Sequence, residues 1–316
     1  MGVFGRIITV GLSPCWDTVF RLEGIDWGEH KLVGPASTQP AGKALNISRA
    51  LAWMGQRSTA AGLWGRDDYG RMVEAMGALK RSIVIRMTQV EGETRRNVTV
   101  VDTVRRREMH LRNKSELVSR KGLKLLREDL ARMIRSDSVC VFAGQMAEER
   151  FTEDVIRLIR FCGRCGAKVV VDTWGDVLRE AVEGGLAWLI KPNVEELREL
   201  VGEEVRNAPA SLAKAGRRLL DRVGIVLISR GEKGAVVVTE RGAWQGRAAG
   251  RTRALSTVGC GDYLLAGFLK GLKDRCEVSS ALETAIKVGT AKAWGWTEDE
   301  SRASVRRRIR VQVERI

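Results

Sequence analysis

Short apolar runs at 7 to 12, 58 to 63, 138 to 143, 167 to 172, 187 to 190 and 225 to 229 alternate with stretches of helical period. That rhythm predicts a Rossmann-like, doubly wound α/β domain whose mostly parallel sheet carries helices on both faces. Leu123, Leu126, Leu130 and Met133 recur on one face of 119 to 134, and Ile47, Leu51 and Met54 do so in 43 to 54. Two stretches, 18 to 25 and 82 to 112, change to β-type alternation with no helix between, as where Val98 and Val100 flank Thr99. A small antiparallel sheet of that kind is too thin to fold alone and must lean on the main domain. We read it as a lid, formed by about 13–38 and 82–113 and inserted in a single domain spanning 1–316. Ile309, Val311 and Val313 alternate with charged and polar residues, which predicts a final edge strand rather than a basic tail.

The net charge of +15 comes from 54 Lys and Arg against 39 Asp and Glu, with short arginine runs at 105–107 and 306–308. Nucleic acid is a natural partner for such a surface, but few aromatics accompany the runs to stack bases, so we expect none. A basic surface equally draws phosphorylated metabolites. The six cysteines follow no disulfide framework and the N-terminus shows no leader-like apolar segment, which fits a reducing cytoplasm. Cys162 and Cys165 read as structural thiols at a helix end, since no second pair completes a zinc site. No apolar run reaches the roughly 20 residues of a membrane span. With His30 and His110 as the only histidines, serine-type triads and histidine-bound metals have little to work with.

The segment Ser256-Thr-Val-Gly-Cys-Gly-Asp262 leads into an apolar helix. Gly259 and Gly261 let the backbone turn its N–H groups outward, and the helix N-terminus adds partial positive charge, so an anion can settle there. Asp262 then stands beside that anion, placed to take a proton from an attacking hydroxyl, or it merely caps the helix. In Ala41-Gly42-Lys43-Ala44-Leu45-Asn46 a glycine permits close approach and a lysine can meet a phosphate, although the spacing is not that of a Walker A loop. Asp17 follows the first strand and can accept hydrogen bonds from sugar hydroxyls or cap a turn. Arg95, opening a lid strand, can close on an anion or stay in solvent. Asn193 and Glu196 begin a helix one turn apart, as a magnesium ligand set or as a cap. The run from Val226 to Gly234 is a strand leading into a glycine turn, suited to nucleotide phosphates or to any hairpin.

In order and character these pieces resemble the ribokinase-like (PfkB) carbohydrate kinases, in the branch that acts on fructose 1-phosphate and tagatose 6-phosphate. Segment 256–262 is similar to the family's Thr-Val-Gly-Ala-Gly-Asp, 41–46 to Gly-Gly-Lys-Gly-x-Asn, 94–97 to Thr-Arg-x-Asn, and 190–196 to Ile-Lys-Pro-Asn-x-x-Glu. The resemblance covers nearly the whole chain. It implies an ATP- and Mg2+-dependent kinase in which Asp262 is the base and the N–H groups of Gly259, Cys260 and Gly261 form an anion hole. It further implies that Asp17, Gly42 and Asn46 hold the sugar, and Lys43 and Arg95 its phosphate. Lys191, Asn193, Ser229, Gly231 and Gly234 would serve the nucleotide, and Glu196 the metal. The expected reaction converts fructose 1-phosphate to fructose 1,6-bisphosphate. Tagatose 6-phosphate, fructose 6-phosphate and neutral sugars or nucleosides are alternative substrates, and a non-catalytic sugar-phosphate sensor or nucleic-acid binder is the rival class. Ala41, Ser13 and Cys260 are small departures from the pattern; Met109-His110, 144–147, Arg230 and Tyr263 are larger ones that bear on substrate fit. The face of the lid is a candidate for pairing two subunits.

Overall fold

The computed structural model describes residues 4–34, 36–105, 107–146, 148–250, 254–255, 257–299 and 308–316. Of the features singled out above, Arg106, Ala147, Ser256, Arg306 and Arg307 lie outside the described residues. The strands are β1 (Arg6–Gly11), β2 (Cys15–Leu22), β3 (Ser37–Ala41), β4 (Ser58–Gly65), β5 (Ile83–Val90), β6 (Arg96–Asp102), β7 (Arg107–Arg112), β8 (Ser138–Ala143), β9 (Lys168–Asp172), β10 (Leu189–Ile190), β11 (Ile225–Ser229), β12 (Ala235–Thr239), β13 (Gly242–Ala248) and β14 (Val311–Arg315). The helices are α1 (Lys43–Trp53), α2 (Tyr69–Ala75), α3 (Arg120–Met133), α4 (Thr152–Arg164), α5 (Gly175–Glu183), α6 (Val194–Val201), α7 (Pro209–Arg217), α8 (Cys260–Lys273), α9 (Val278–Ala293) and α10 (Trp296–Asp299).

The main sheet has ten strands in the order β14-β13-β12-β11-β10-β9-β8-β1-β4-β5. From β5 through β11 neighbouring strands run parallel, and β12, β13 and β14 are added antiparallel. Strands buried on both faces must be apolar throughout, as β8 and β9 are. Their side chains divide by parity. Val139 and Val141 join Ile7 under α1, α8 and α9, whereas Cys140 and Phe142 join Ile8 and Val10 under α3 to α7. The strand order reverses direction of growth around β1, and the carboxyl ends there are the expected place for a ligand crevice. The tail forms β14 at the sheet's edge, paired with β13.

The second sheet has four strands in the order β3-β2-β6-β7. It differs from the expected lid in two ways. Residues 83–90 do not belong to it, because β5 pairs parallel with β4 over its whole length and extends the main sheet. An edge strand is covered on one face and open on the other, so its period-2 pattern is the same as that of a lid strand. Nor is the lid wholly antiparallel, since β2 and β6 run parallel from Trp16↔Arg96 to Leu22↔Asp102. A separate cluster of Trp16, Leu45, Trp64, Met72, Met76 and Met87 ties β2 of the lid to α1, α2 and the β4–β5 edge.

Candidate active site

A cavity of about 530 Å³ opens between the carboxyl ends of the parallel strands and the lid. Asp17 and Arg95 line it from the lid side, Gly42, Lys43 and Asn46 from the start of α1, and Gly259, Gly261 and Asp262 from the start of α8. Gly42 takes φ 120° just before α1, where an added Cβ would stand 3.3 Å from the Pro14 Cα. Gly259 is left-handed, with φ 77°, and an added Cβ would stand 3.8 Å from an Asp262 oxygen. The turn therefore brings bare backbone next to the carboxylate, as close approach of an anion requires. Asp262 is 4% exposed, and its Oδ2 accepts from Asn46 Nδ2 at 2.8 Å.

Beneath Asp262 lies a carboxylate that the sequence reading missed. Asp172 ends β9 at 1% exposure, and its Oδ1 is 3.1 Å from both Lys43 Nζ and Lys191 Nζ. Among the described residues its buried Oδ2 has no hydrogen-bond partner. Burial works against charge on Asp172, but Lys191 and Lys43 together outweigh it and hold its carboxyl below the ordinary range. Burial also opposes charge on Lys43, and Asp172 and Asp262 more than restore it. Asp262 moves the other way: burial first, then the neighbouring Asp172 charge, push it up to about 7, against the pull of Lys43, the Asn46 hydrogen bond and Lys191. A carboxylate titrating near neutrality is suited to general-base work. Trp174, two residues beyond Asp172, was also missed; it lines the cavity half-exposed with Lys43 Nζ 5.3 Å from its ring centroid.

On the lid side, Asn97 Nδ2 donates to Cys15 Sγ at 3.2 Å, and the Cys15 thiol points to Asp17 Oδ1 at 3.4 Å. Burial first, then the Asp17 charge, push the Cys15 thiol up, so it stays protonated beside Asp17. Cys260 is half-buried, and burial raises its thiol to about 11, which removes the reactive character a helix N-terminus can confer. Cys162 is buried within α4 and Cys165 is exposed at its end; both are free thiols.

Of the remaining expected site residues, Lys191 is on the cavity wall, whereas Asn193, Glu196, Ser229, Gly231, Gly234 and Cys260 do not line it. Asn193 and Glu196 form a capping box: Asn193 Oδ1 accepts from the Glu196 N–H and Glu196 Oε2 from the Asn193 N–H, both at 2.9 Å. Burial raises the Glu196 carboxyl, although the Asn193 N–H, Lys191 and Lys43 pull it down. Asn193 bridges to Ser229 at the end of β11. Gly231 and Gly234 shape the turn from β11 to β12, where an added Cβ on Gly234 would come within 2.0 Å of the Gly246 carbonyl. That glycine is required by the hairpin's own packing, whatever else the turn does. Of the larger departures, Gln145 and His110 line the cavity, whereas Met146 is core and Arg230 donates to Asn207.

Residues 9–294 match the pattern of the pfkB family carbohydrate kinases. The chain belongs to that family. The kinase is 26% identical over 289 residues to a 1-phosphofructokinase of Haemophilus influenzae, with 89% of each chain covered. It is 29% identical over 291 residues to a 1-phosphofructokinase of Escherichia coli, again with 89% of each covered. Its fold superposes on phosphofructokinase-2 from Escherichia coli in complex with substrates and products, with a TM-score of 0.88 and 22% identity over 96% of this chain and 98% of that one. Membership makes this chain a phosphotransferase acting on a sugar hydroxyl, and ATP use is what that family implies. Among the described residues, no helix of the kinase is long and apolar enough to cross a membrane.

Proposed function

We propose that this kinase phosphorylates a phosphosugar, with fructose 1-phosphate converted to fructose 1,6-bisphosphate as the leading reaction. The observation that carries the reading is Asp262: a carboxylate raised to about 7, held by Asn46 and bordered by a left-handed glycine turn, in a cavity that also presents Arg95. The relatives named 1-phosphofructokinase support the substrate class. Asp17 and Asn46 orient the sugar, Asp262 accepts the proton of the attacking hydroxyl, and the Gly259–Gly261 amides face the charge that develops. Lys191 serves the nucleotide phosphates from the cavity wall, and Asn193, bridged to Ser229, with Gly231 and Gly234 beyond it, completes the proposed nucleotide set. When bound, ATP would supply the phosphoryl group and Mg2+ would offset negative charge on the nucleotide.

The residues present fit Mg2+. Such an ion keeps several waters and needs only one or two carboxylates besides the phosphates. Glu196 retains an oxygen outside its capping bond, and among the described residues the buried Asp172 Oδ2 has no partner. Among the described residues no three acidic, histidine or cysteine groups gather into a metal cage, in keeping with an ion that arrives on the nucleotide.

Two copies associating through the lid would cover Met109 and Leu111 on β7 and Trp27 and Leu32 before β3, all exposed. Six free cysteines support a cytoplasmic setting. The test is ADP release with ATP and Mg2+ over fructose 1-phosphate, tagatose 6-phosphate, fructose 6-phosphate and their unphosphorylated sugars. Saturable turnover of a phosphosugar at the lowest KM is expected. Neutral sugars outcompeting all three would overturn the substrate class.

A further inference from the structure

Among the described residues, the cations lining the cavity are held in ion pairs on its floor and not on its lid side. On the floor, Lys43 and Lys191 share the Asp172 carboxylate. On the lid side, Arg95 spends its donors on backbone: Nε to the Pro14 carbonyl at 3.2 Å, Nη2 to Ser13 at 3.1 Å and Nη1 to Asn113 at 2.7 Å. Next to Asn113 is Arg112, the last residue of β7, which lines the same cavity. Among the described residues the Arg112 side chain has neither hydrogen bond nor ion pair, and Arg95 has no carboxylate partner. Its alternate neighbour His110 also lines the cavity but is already engaged, by Thr99 at 3.0 Å and Glu108 at 3.3 Å. Arg95 and Arg112 line one cavity, and among the described residues neither has a carboxylate within ion-pairing distance, so a dianionic ligand there can engage both charges. Arginine's planar fork suits a phosphate monoester, whose terminal oxygens outnumber what one guanidinium can satisfy.

We propose that Arg112 is a specificity-determining residue that, together with Arg95, takes the phosphate already carried by the sugar. This inference rests on the phosphosugar reading and sharpens it. The partner of Arg95 in phosphate recognition is then a lid arginine absent from the sequence-level assignment, not Lys43, whose charge Asp172 already holds. Register places it there: Asn97 of β6, which also lines the cavity, pairs with Arg112 of β7, so the two share one rung of the lid.

The experiment is calorimetric titration of fructose 1-phosphate, without ATP, into the full-length kinase and its Arg112→Gln variant, alongside steady-state kinetics. A charge-assisted contact of this type predicts a Kd weaker by about 10-fold to 100-fold in Arg112→Gln. KM for the phosphosugar should rise in step, with the loss falling on KM rather than kcat and with KM for ATP unmoved. Arg112→Lys should recover part of the affinity, as a point charge without the fork. A residue that only braces the lid would instead lower kcat or the thermal midpoint at unchanged Kd, and that result overturns the proposal. So does a wild-type protein that binds none of the three phosphosugars. Tight binding without turnover in the wild type, still lost in Arg112→Gln, sinks the kinase assignment for that sugar and leaves the role of Arg112 standing.

Discussion

Asn46 donates to Asp262 at 2.8 Å across 216 positions of sequence, joining the first helix of the domain to the late one. A hydrogen bond to the charged form of a carboxyl favours that form. Removing it in Asn46→Ala should drive Asp262 further up, moving the acid limb of the kcat/KM profile to higher pH. An unmoved limb would show that the profile reports another group.

Turnover should need Asp262 ionised. Its carboxyl sits at about 7, so kcat/KM is expected to rise with pH through that region and level off above it. Asp262→Asn should lower kcat by about 10² to 10⁴. Near-normal turnover in that variant would refute the base assignment.

The same carboxyl opposes stability. Because the folded protein holds a proton on Asp262 that the unfolded chain releases near 4, its contribution is intact below that pH and is lost as pH climbs through about 7. Asp262→Asn should therefore unfold at a higher temperature than the wild type at pH 8, with the gap closing towards pH 4. Equal midpoints at pH 8 would argue against the raised carboxyl.

Asp172 has the opposite sign. Its carboxyl is held low by two lysines, so its stabilisation is present above the ordinary carboxylate range and disappears as acid protonates it. Asp172→Asn leaves Lys191, 5% exposed, without its carboxylate and should cost about 3 kcal/mol or more in urea unfolding at neutral pH. A loss under about 1 kcal/mol would mean that water or Glu196 compensates.

Gly62 faces Gly11 across β1 and β4 with φ 124°, and a Cβ there would stand 1.9 Å from the Gly11 carbonyl oxygen. Gly62→Ala should destabilise the fold by about 3 kcal/mol, from strain and overpacking together. Because Gly11 also lines the cavity, sugar affinity should fall even where the variant still folds.

Much of this was legible in the chain. Apolar runs of strand length separated by helical period marked β1, β4, β8, β9, β10 and β11, because a doubly covered sheet leaves no other place for them. Glycines before Lys43 and Asp262 marked two helix starts that the structure brings to one cavity. Asp172 was not legible. It ends an apolar strand like many capping aspartates, and its meaning arises only when lysines 129 positions before it and 19 after it converge. Nor was the allegiance of 83–90, since alternation shows that one face is covered and says nothing of which sheet covers it. The hairpin of β11 and β12 stayed open because its glycine turn suits a phosphate loop equally well.

Arg95 clasps the loop at Ser13 and Pro14 with two nitrogens and the end of β7, at Asn113, with a third. In the proposed role, one guanidinium is at once a pin between two chain segments and a reader of the ligand. Retuning selectivity at that position therefore loosens the hood it fastens, so descendants of this chain are barred from exploring it cheaply. Arg112, whose side chain has no hydrogen bond or ion pair among the described residues, is on that proposal where a new diet would begin.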